Sequence, residues 1–294
     1  MSMGGAGYAD EAGGKGGSGG SRGRGLPWKL AYQTVLPDDY RSSGELTDRL
    51  ASFAAAGIWG LEVNVSDPDL FSYADVVSFL GEHGLAFSMF ATGLSAKTAG
   101  YSLSSLDESE RKRAVAACAR YLRWVEDEEV GAIIGFMKGM DRSDPEGARA
   151  AFRESVLELA PVAEQARTPL IIEATNRYET PIANTLSDAL SVVEGTDSRW
   201  VKVLPDTFHM NIEEADIRSA LERAMPRLSN VHLSENNRTL PGRGGFEFPS
   251  FLRILDELGY VGRLAMEGNV VGSEAADVPR AARFIQECWE ELNG

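Results

Sequence analysis

Residues 169–206 read PLIIEATNRYETPIANTLSDALSVVEGTDSRWVKVLPD, two short apolar runs, PLIIEA (169–174) and VKVLPD (201–206), each carrying a carboxylate at its C-terminal end. Runs too apolar to alternate read as strands covered on both faces. The longer amphipathic stretch between them reads as a helix returning the chain to the same end of a parallel sheet. The same unit recurs along the chain. KLAYQTV (29–35), WGLEVNV (59–65), LAFSMFA (85–91), AIIGFM (132–137), NVHLS (230–234) and GRLAME (262–267) are further strand candidates, which makes eight. Eight βα units of roughly 30 residues predict an α/β protein with a single (β/α)8 barrel over 26–294, the usual size of such a barrel being about 250 residues. A doubly wound open sheet is the fallback, but no GxGxxG follows the first strand.

Helix starts are marked by Ser42 with Glu45 and Ser105 with Glu108, read as capping boxes, and by Asp144 followed by Pro145. The last helix is expected over roughly 277–292. Residues 1–25 hold 11 of the 31 glycines and almost nothing apolar, so a disordered tail is expected there. Cys118 and Cys288 show no CxxC or Cys/His metal spacing and read as small buried hydrophobes.

Twenty-nine Lys plus Arg against 44 Asp plus Glu give a net charge of -15, with 43% hydrophobic residues. A nucleic-acid partner needs clustered positive potential, which this composition does not offer. No stretch approaches the ~20 apolar residues of a membrane span, and no apolar h-region opens the chain. A cytoplasmic, non-membrane protein is expected.

Glu173, Asp206, His232 and Glu267 fall at or beside the C-terminal ends of four consecutive strands, 33, 26 and 35 residues apart. Those intervals are about one βα unit each, so in a barrel the four side chains converge on the top face, where barrel enzymes place their active sites. A carboxylate ending an apolar strand is costly to bury unless paired or bound to a cation. Three carboxylates and one imidazole suit one divalent ion, Mn2+ ahead of Mg2+ or Co2+, better than a structural zinc. Two of the three histidines, His209 and His232, lie beside these carboxylates. His83, in GEHG, reads as a loop or cap residue. Arg238 reads as a donor to a substrate oxygen or the partner of a surface acid. His209 reads as a donor to a carbonyl or a histidine satisfied by local backbone, and Glu179 as a rim acceptor or a helix-start carboxylate. Glu62 is expected to make a structural hydrogen bond, and Phe90 and Phe136 to belong to the core rather than to stack on sugar.

The segments IIEATNRYET (171–180), LPDTFHMNIEE (204–214), VHLSENNR (231–238) with PGRG (241–244), and LAMEG (264–268) resemble the motifs of the ketose 3-epimerases, within the sugar phosphate isomerase/epimerase families of xylose isomerase-like barrels. The resemblance covers four strands by motif and the first half by architecture. It implies that Glu173, Asp206, His232 and Glu267 ligate one metal, that His209, Arg238 and Glu179 contact sugar hydroxyls, and that Glu173 and Glu267 act as an acid and base pair. The chemistry is consistent: epimerisation through an enediolate needs proton exchange on opposite faces of a planar intermediate. A single base shuttling between adjacent carbons gives aldose-ketose isomerisation with the same residues. Homo-oligomers are common in this group, and a small-molecule sugar is the expected partner.

Ala174 stands where the group commonly has Pro, Asn269 where an aromatic is common, and Gly245 where His is frequent. These departures leave open a lyase on oxidised sugar conjugates, as in the catalytic subunits of C-glycoside deglycosidases, or another enediolate enzyme such as a hydroxypyruvate isomerase or inosose dehydratase. Apurinic endonucleases share the barrel, but their zinc cluster needs more histidines than three. A sugar-binding module with an idle catalytic pair is the non-enzyme alternative.

Overall fold

A computed structural model describes residues 25–125 and 127–293, so the expected tail, apart from Gly25, lies outside the described residues. The eight strands are β1 (Lys29–Val35), β2 (Gly60–Asn64), β3 (Ala86–Ala91), β4 (Ala132–Ile134), β5 (Leu170–Glu173), β6 (Val201–Leu204), β7 (Asn230–Leu233) and β8 (Arg263–Met266). All the ladders are parallel, in the order β6-β5-β4-β3-β2-β1-β8-β7. The remaining seam, between β6 and β7, is closed by isolated parallel bridges at Val203–Leu228 and Asp206–His232. The Ser229 and His232 N–H groups donate across it to the Val203 and Pro205 carbonyls at 3.0 and 2.9 Å. The sheet is thus a nearly closed barrel, as the repeated unit predicts.

Around it lie α1 (Gly44–Ala55), α2 (Tyr73–Glu82), α3 (Gly93–Ala99), α4 (Glu108–Val125), α5 (Pro145–Ala166), α6 (Leu186–Glu194), α7 (Thr207–Glu213), α8 (Ile217–Ala224), α9 (Phe248–Glu257) and α10 (Glu274–Asn293). Asp144 caps α5 by accepting the Gly147 N–H, with Pro145 at the first position, as expected. Neither Ser42 nor Ser105 caps a helix. Ser43, one residue on, accepts the Leu46 N–H, while Ser42 donates to the Asp39 carbonyl. Asp107 accepts the Ser109 and Glu110 N–H groups at the head of α4, and Glu108 pairs with Arg111 instead. At α4 the Asp107 carboxylate, two residues nearer the helix than Ser105, offers a stronger acceptor than a hydroxyl. The last helix begins at Glu274, three residues earlier than expected.

Inside the barrel, Met89, Ile133, Ile171 and Leu204 from β3 to β6 form their own small cluster, and the larger core lies between strands and helices. Full burial of one such side chain is worth roughly 1.5–3 kcal/mol. Cys118 and Cys288 are buried, and burial pushes their thiols up to about 12 and about 11, as inert small hydrophobes require. Phe90 is core, edge-on to Tyr121. Phe136 is not: β4 stops at Ile134, the chain turns through a single 3-10 turn at Phe136–Lys138, and its ring is left 43% exposed on the top face. Among the described residues no helix is long and apolar enough to cross a membrane.

Candidate metal centre

Each of the four expected ligands is positioned by local structure. Glu173 is the last residue of β5. Asp206, two residues past β6, is the N-cap of α7: its Oδ1 accepts the Phe208 and His209 N–H groups at 2.7 and 3.2 Å, so Oδ2 is left for the site. On β7 the strand period of two sends Val231 and Leu233 to the helix layer and Asn230 and His232 inward. Glu267 follows β8 directly. One ligand atom from each of Glu173, Asp206, His232 and Glu267 lies within 4.8 Å of all the others, in a largely buried cluster.

His232 Nδ1 stands 2.7 Å from Glu267 Oε2, 3.5 Å from Glu173 Oε1 and 3.8 Å from Asp206 Oδ2. None of these contacts is aligned as a hydrogen bond: His232 Nδ1, Glu173 Oε1 and Glu267 Oε2 are all buried without a hydrogen-bond partner. Orphaned buried polar atoms are rare and costly, and three that converge on one point fit a bound cation. The opposite ring nitrogen, Nε2, is 2.7 Å from Glu62 Oε2 on β2. Glu62 also receives the Asn230 amide and, at 3.4 Å, that of Gln33. A carboxylate behind the imidazole fixes the ring and its tautomer, leaving Nδ1 as the lone pair that faces the cluster. The structural hydrogen bond expected of Glu62 is therefore made to a ligand of the site.

Burial opposes charge at His232, but the Glu62 and Glu267 carboxylates outweigh it and raise its pKa well above the usual imidazole value. Burial likewise opposes ionisation of Glu173 and Glu267. Nearby His232 holds the Glu173 carboxyl below the ordinary range, and Arg238 followed by His232 does the same for Glu267.

Arg238 meets acids of the site rather than the surface: Nη1 lies 2.7 Å from Asp206 Oδ2 and Nη2 2.8 Å from Glu267 Oε1, with the guanidinium over the Phe208 ring. It adopts the left-handed backbone region (φ 63°), in a loop braced by buried Glu235, which accepts the Gly242 and Phe246 N–H groups. The loop also packs on the chain after β8. A Cβ at Gly268 would approach the Thr239 carbonyl carbon to 2.7 Å, so glycine permits that contact. His209 is buried. Its Nδ1 faces the Asn176 amide at 2.8 Å, so that amide, as oriented, leaves the N–H on Nε2, 3.8 Å from Glu173 Oε1. Glu179 is half-exposed at the rim and accepts from the same Asn176 amide at 3.1 Å. His83 caps α2, its Nδ1 2.8 Å from the Phe79 carbonyl, away from the site.

The sequence reading did not anticipate four further residues. Lys138, buried behind Glu173, donates to the Glu173 carbonyl and, at 2.7 Å, to Thr175 Oγ1; burial pushes its amine down to about 8. Asn176 orients His209. Asn64 and Gln33 link their amides at 3.2 Å along the cavity wall. A lysine directly after an apolar strand was the one available signal; the amides carry none. A cavity of about 120 Å3 is lined by Gln33, Asn64, Glu173, His209, Arg238 and Glu267 among others, with Lys138 and Asn176 outside its lining. A larger concavity of about 340 Å3 opens at the opposite mouth, beside Lys29, Lys202 and Arg263, and contains none of the four ligands.

Residues 50–288 match the family model described as xylose isomerase-like TIM barrel. The chain is 38% identical to a D-psicose 3-epimerase of Enterocloster bolteae over 45% of this chain and 46% of that protein, so the match spans about half of that relative's length. It is 30% identical to an L-ribulose 3-epimerase of Mesorhizobium japonicum over 77% of this chain and 76% of that protein. A solved D-psicose 3-epimerase with D-tagatose, from Clostridium cellulolyticum H10, superposes with a TM-score of 0.69 at 25% identity, covering 90% of this chain and 98% of the other.

Proposed function

Because this chain belongs to the xylose isomerase-like TIM barrel family, we propose that it is a divalent-metal-dependent isomerase that epimerises a ketose at C3. The observation that carries the reading is the meeting of Glu173 and Glu267, with Asp206 and His232, in one buried cluster beside a polar cavity. The 3-epimerase activities of the relatives support C3 of a ketose as the reacting position. Mn2+, Mg2+ or Co2+ would be held by Glu173, Asp206, His232 and Glu267. Once bound, the ion supplies positive charge that stabilises an enediolate formed beside the carbonyl.

The chain's own residues do the rest. Glu173 and Glu267 serve as base and acid: the one that is ionised accepts the C3 proton, and the other, carrying a proton taken from solvent, delivers it to the opposite face, so one proton leaves carbon and one is added. His209 Nε2–H has no hydrogen-bond partner, is buried, and lines the cavity, where it donates to a sugar oxygen. Arg238 offsets the negative charge of Asp206 and Glu267, and Glu179 accepts from a hydroxyl at the rim. Lys138 and Asn176 touch Glu173 and His209 rather than substrate and act as positioning residues.

The test is deuterium incorporation from D2O into a panel of ketoses by the Mn2+-loaded protein, followed by NMR, with Glu267→Gln as control. Incorporation at C3 with a new epimer, lost in the variant, is the expected result. Incorporation at C1 or C2 with an aldose product would redirect the reading to isomerisation, and no exchange with any sugar would overturn it.

A further inference from the structure

At the mouth of the barrel opposite the carboxylate cluster, the strand period of two turns three cations toward the interior. Leu30 and Tyr32 of β1, Val201 and Val203 of β6, and Leu264 and Met266 of β8 pack in the core between strands and helices. The alternate residues Lys29, Lys202 and Arg263 therefore face the other way, Lys202 on the same side of β6 as Leu204 of the interior cluster. Lys29 and Arg263 are register partners on adjacent strands. The inside of such a barrel is normally filled by Val, Ile and Leu, so three positive charges in its end layer are not something the fold itself requires. All three line the concavity of about 340 Å3, a volume within the range of small-molecule sites.

Their neighbours do not neutralise them. Arg263 is anchored, its Nη1 donating to the Ser88 and Glu129 carbonyls at 3.0 and 2.7 Å, but its nearest acid, the Glu129 carboxylate, stands 3.4 Å from Nη2 on a side chain that is 81% exposed. Glu128, the other acid of the wall, is engaged by Arg167, whose Nη2 lies 2.8 Å from both carboxylate oxygens. Among the described residues no carboxylate lies within 4.0 Å of the Lys29 or Lys202 ammonium. Lys29 rests over the Trp59 ring, 4.4 Å from its centroid, and the Arg263 guanidinium approaches the same ring to 5.0 Å. Lys202 makes no side-chain hydrogen bond among the described residues, and burial holds its amine below the ordinary lysine value. The recess next to it adds a further cation, Arg199.

Like charges held around one concavity repel, and a multivalent anion between them removes that cost. Two ammonium groups without a carboxylate match the two charges of a phosphate, which lysine binds as a point charge, and the Arg263 guanidinium adds a third positive group. We propose that this mouth of the barrel binds a phosphate dianion between Lys29, Lys202 and Arg263, either free or as the phosphate of a small ester. The site is separate from the carboxylate cluster: it contains none of the four ligands, and its cations come from the opposite ends of the strands.

Titration calorimetry with inorganic phosphate on the Mg2+-loaded protein, at about pH 8 where phosphate is a dianion and at physiological ionic strength, tests it. Saturable binding of one phosphate per chain is expected. Lys202→Met should weaken it about tenfold or more, the usual worth of a hydrogen bond to a charged group. Lys29→Met, at the exposed head of β1, should weaken it similarly and keeps the test valid if the more buried Lys202 proves necessary for folding. Glu267→Gln, at the other end of the barrel, should leave phosphate affinity unchanged. No saturable binding at millimolar phosphate, or an affinity that both lysine variants retain, overturns the proposal. Loss of binding in Glu267→Gln also overturns it, because the anion would then sit at the carboxylate cluster. Glycerol 3-phosphate distinguishes the two sources. Binding at least as tight as that of inorganic phosphate makes the ligand an ester, and binding about tenfold weaker makes it free phosphate, either result upholding the site.

Discussion

The Glu62 carboxylate lies 2.7 Å from Nε2 of His232, with both side chains at 0% exposure and 170 residues apart in the chain. The pair joins β2 to β7 through the barrel interior and aims the other ring nitrogen at three carboxylates. Glu62→Gln keeps the shape but removes the charge that holds the imidazole tautomer. Metal affinity is expected to fall about 10- to 100-fold, the usual cost of losing such a supporting group, while the fold persists. Competition with a fluorescent chelator measures it; unchanged affinity would reduce Glu62 to packing.

Gly135 lies directly under the Glu173 carboxylate, where a Cβ would overlap the acid. Gly135→Ala is therefore expected to displace Glu173 from the cluster. A ligand moved by about 1 Å costs on the order of 100-fold in rate, so both metal retention and deuterium exchange should fall by at least tenfold. A circular dichroism spectrum matching the unaltered protein would show the loss to be local.

Metal binding and folding are coupled at this site, because the four ligands come from four strands that converge only in the native barrel. Mn2+ at about 100 times its Kd should add about 2.7 kcal/mol, raising Tm by roughly 5–10 °C for a domain of this size. Asp206→Asn should abolish most of that shift. Calorimetric scans with and without Mn2+ decide it, and an equal shift in the variant would point to adventitious binding elsewhere.

Asp277, buried near the start of α10, accepts the Gly272 and Val271 N–H groups and pairs with Arg243, so it ties the chain after β8 to the loop that carries Arg238. These contacts, the Gly272 N–H first, hold its carboxyl down to about 2. A depressed carboxylate stabilises the fold fully above its unfolded value of about 3.9, and that contribution is lost as pH falls through about 2. It is worth about 2 kcal/mol. Asp277→Asn should lose less stability than the unaltered protein between roughly pH 4 and pH 2 in urea titrations, by about that amount. Parallel pH profiles would remove the role assigned to Asp277.

Much of the site was legible because barrel strands are short and apolar and end where the chemistry begins. In PLIIEA, VKVLPD, NVHLS and GRLAME the polar residue stands out against its strand, and spacings of one βα unit bring the four to one face. The caps were misplaced by one or two residues at Ser42 and Ser105, since several hydroxyls and carboxylates compete for the same orphan N–H groups and only the backbone angle chooses. Periodicity and strand-end chemistry, which act within a few residues, determined the barrel and its ring of ligands. Barrel closure, which brings together residues as distant in the chain as Glu62 and His232, decided that Glu62 backs His232, that Lys138 and Asn176 hold Glu173 and His209, and that Phe136 faces a cavity instead of the core. Those contacts depend on how eight strands meet around one axis, and no local pattern of side chains encodes that geometry.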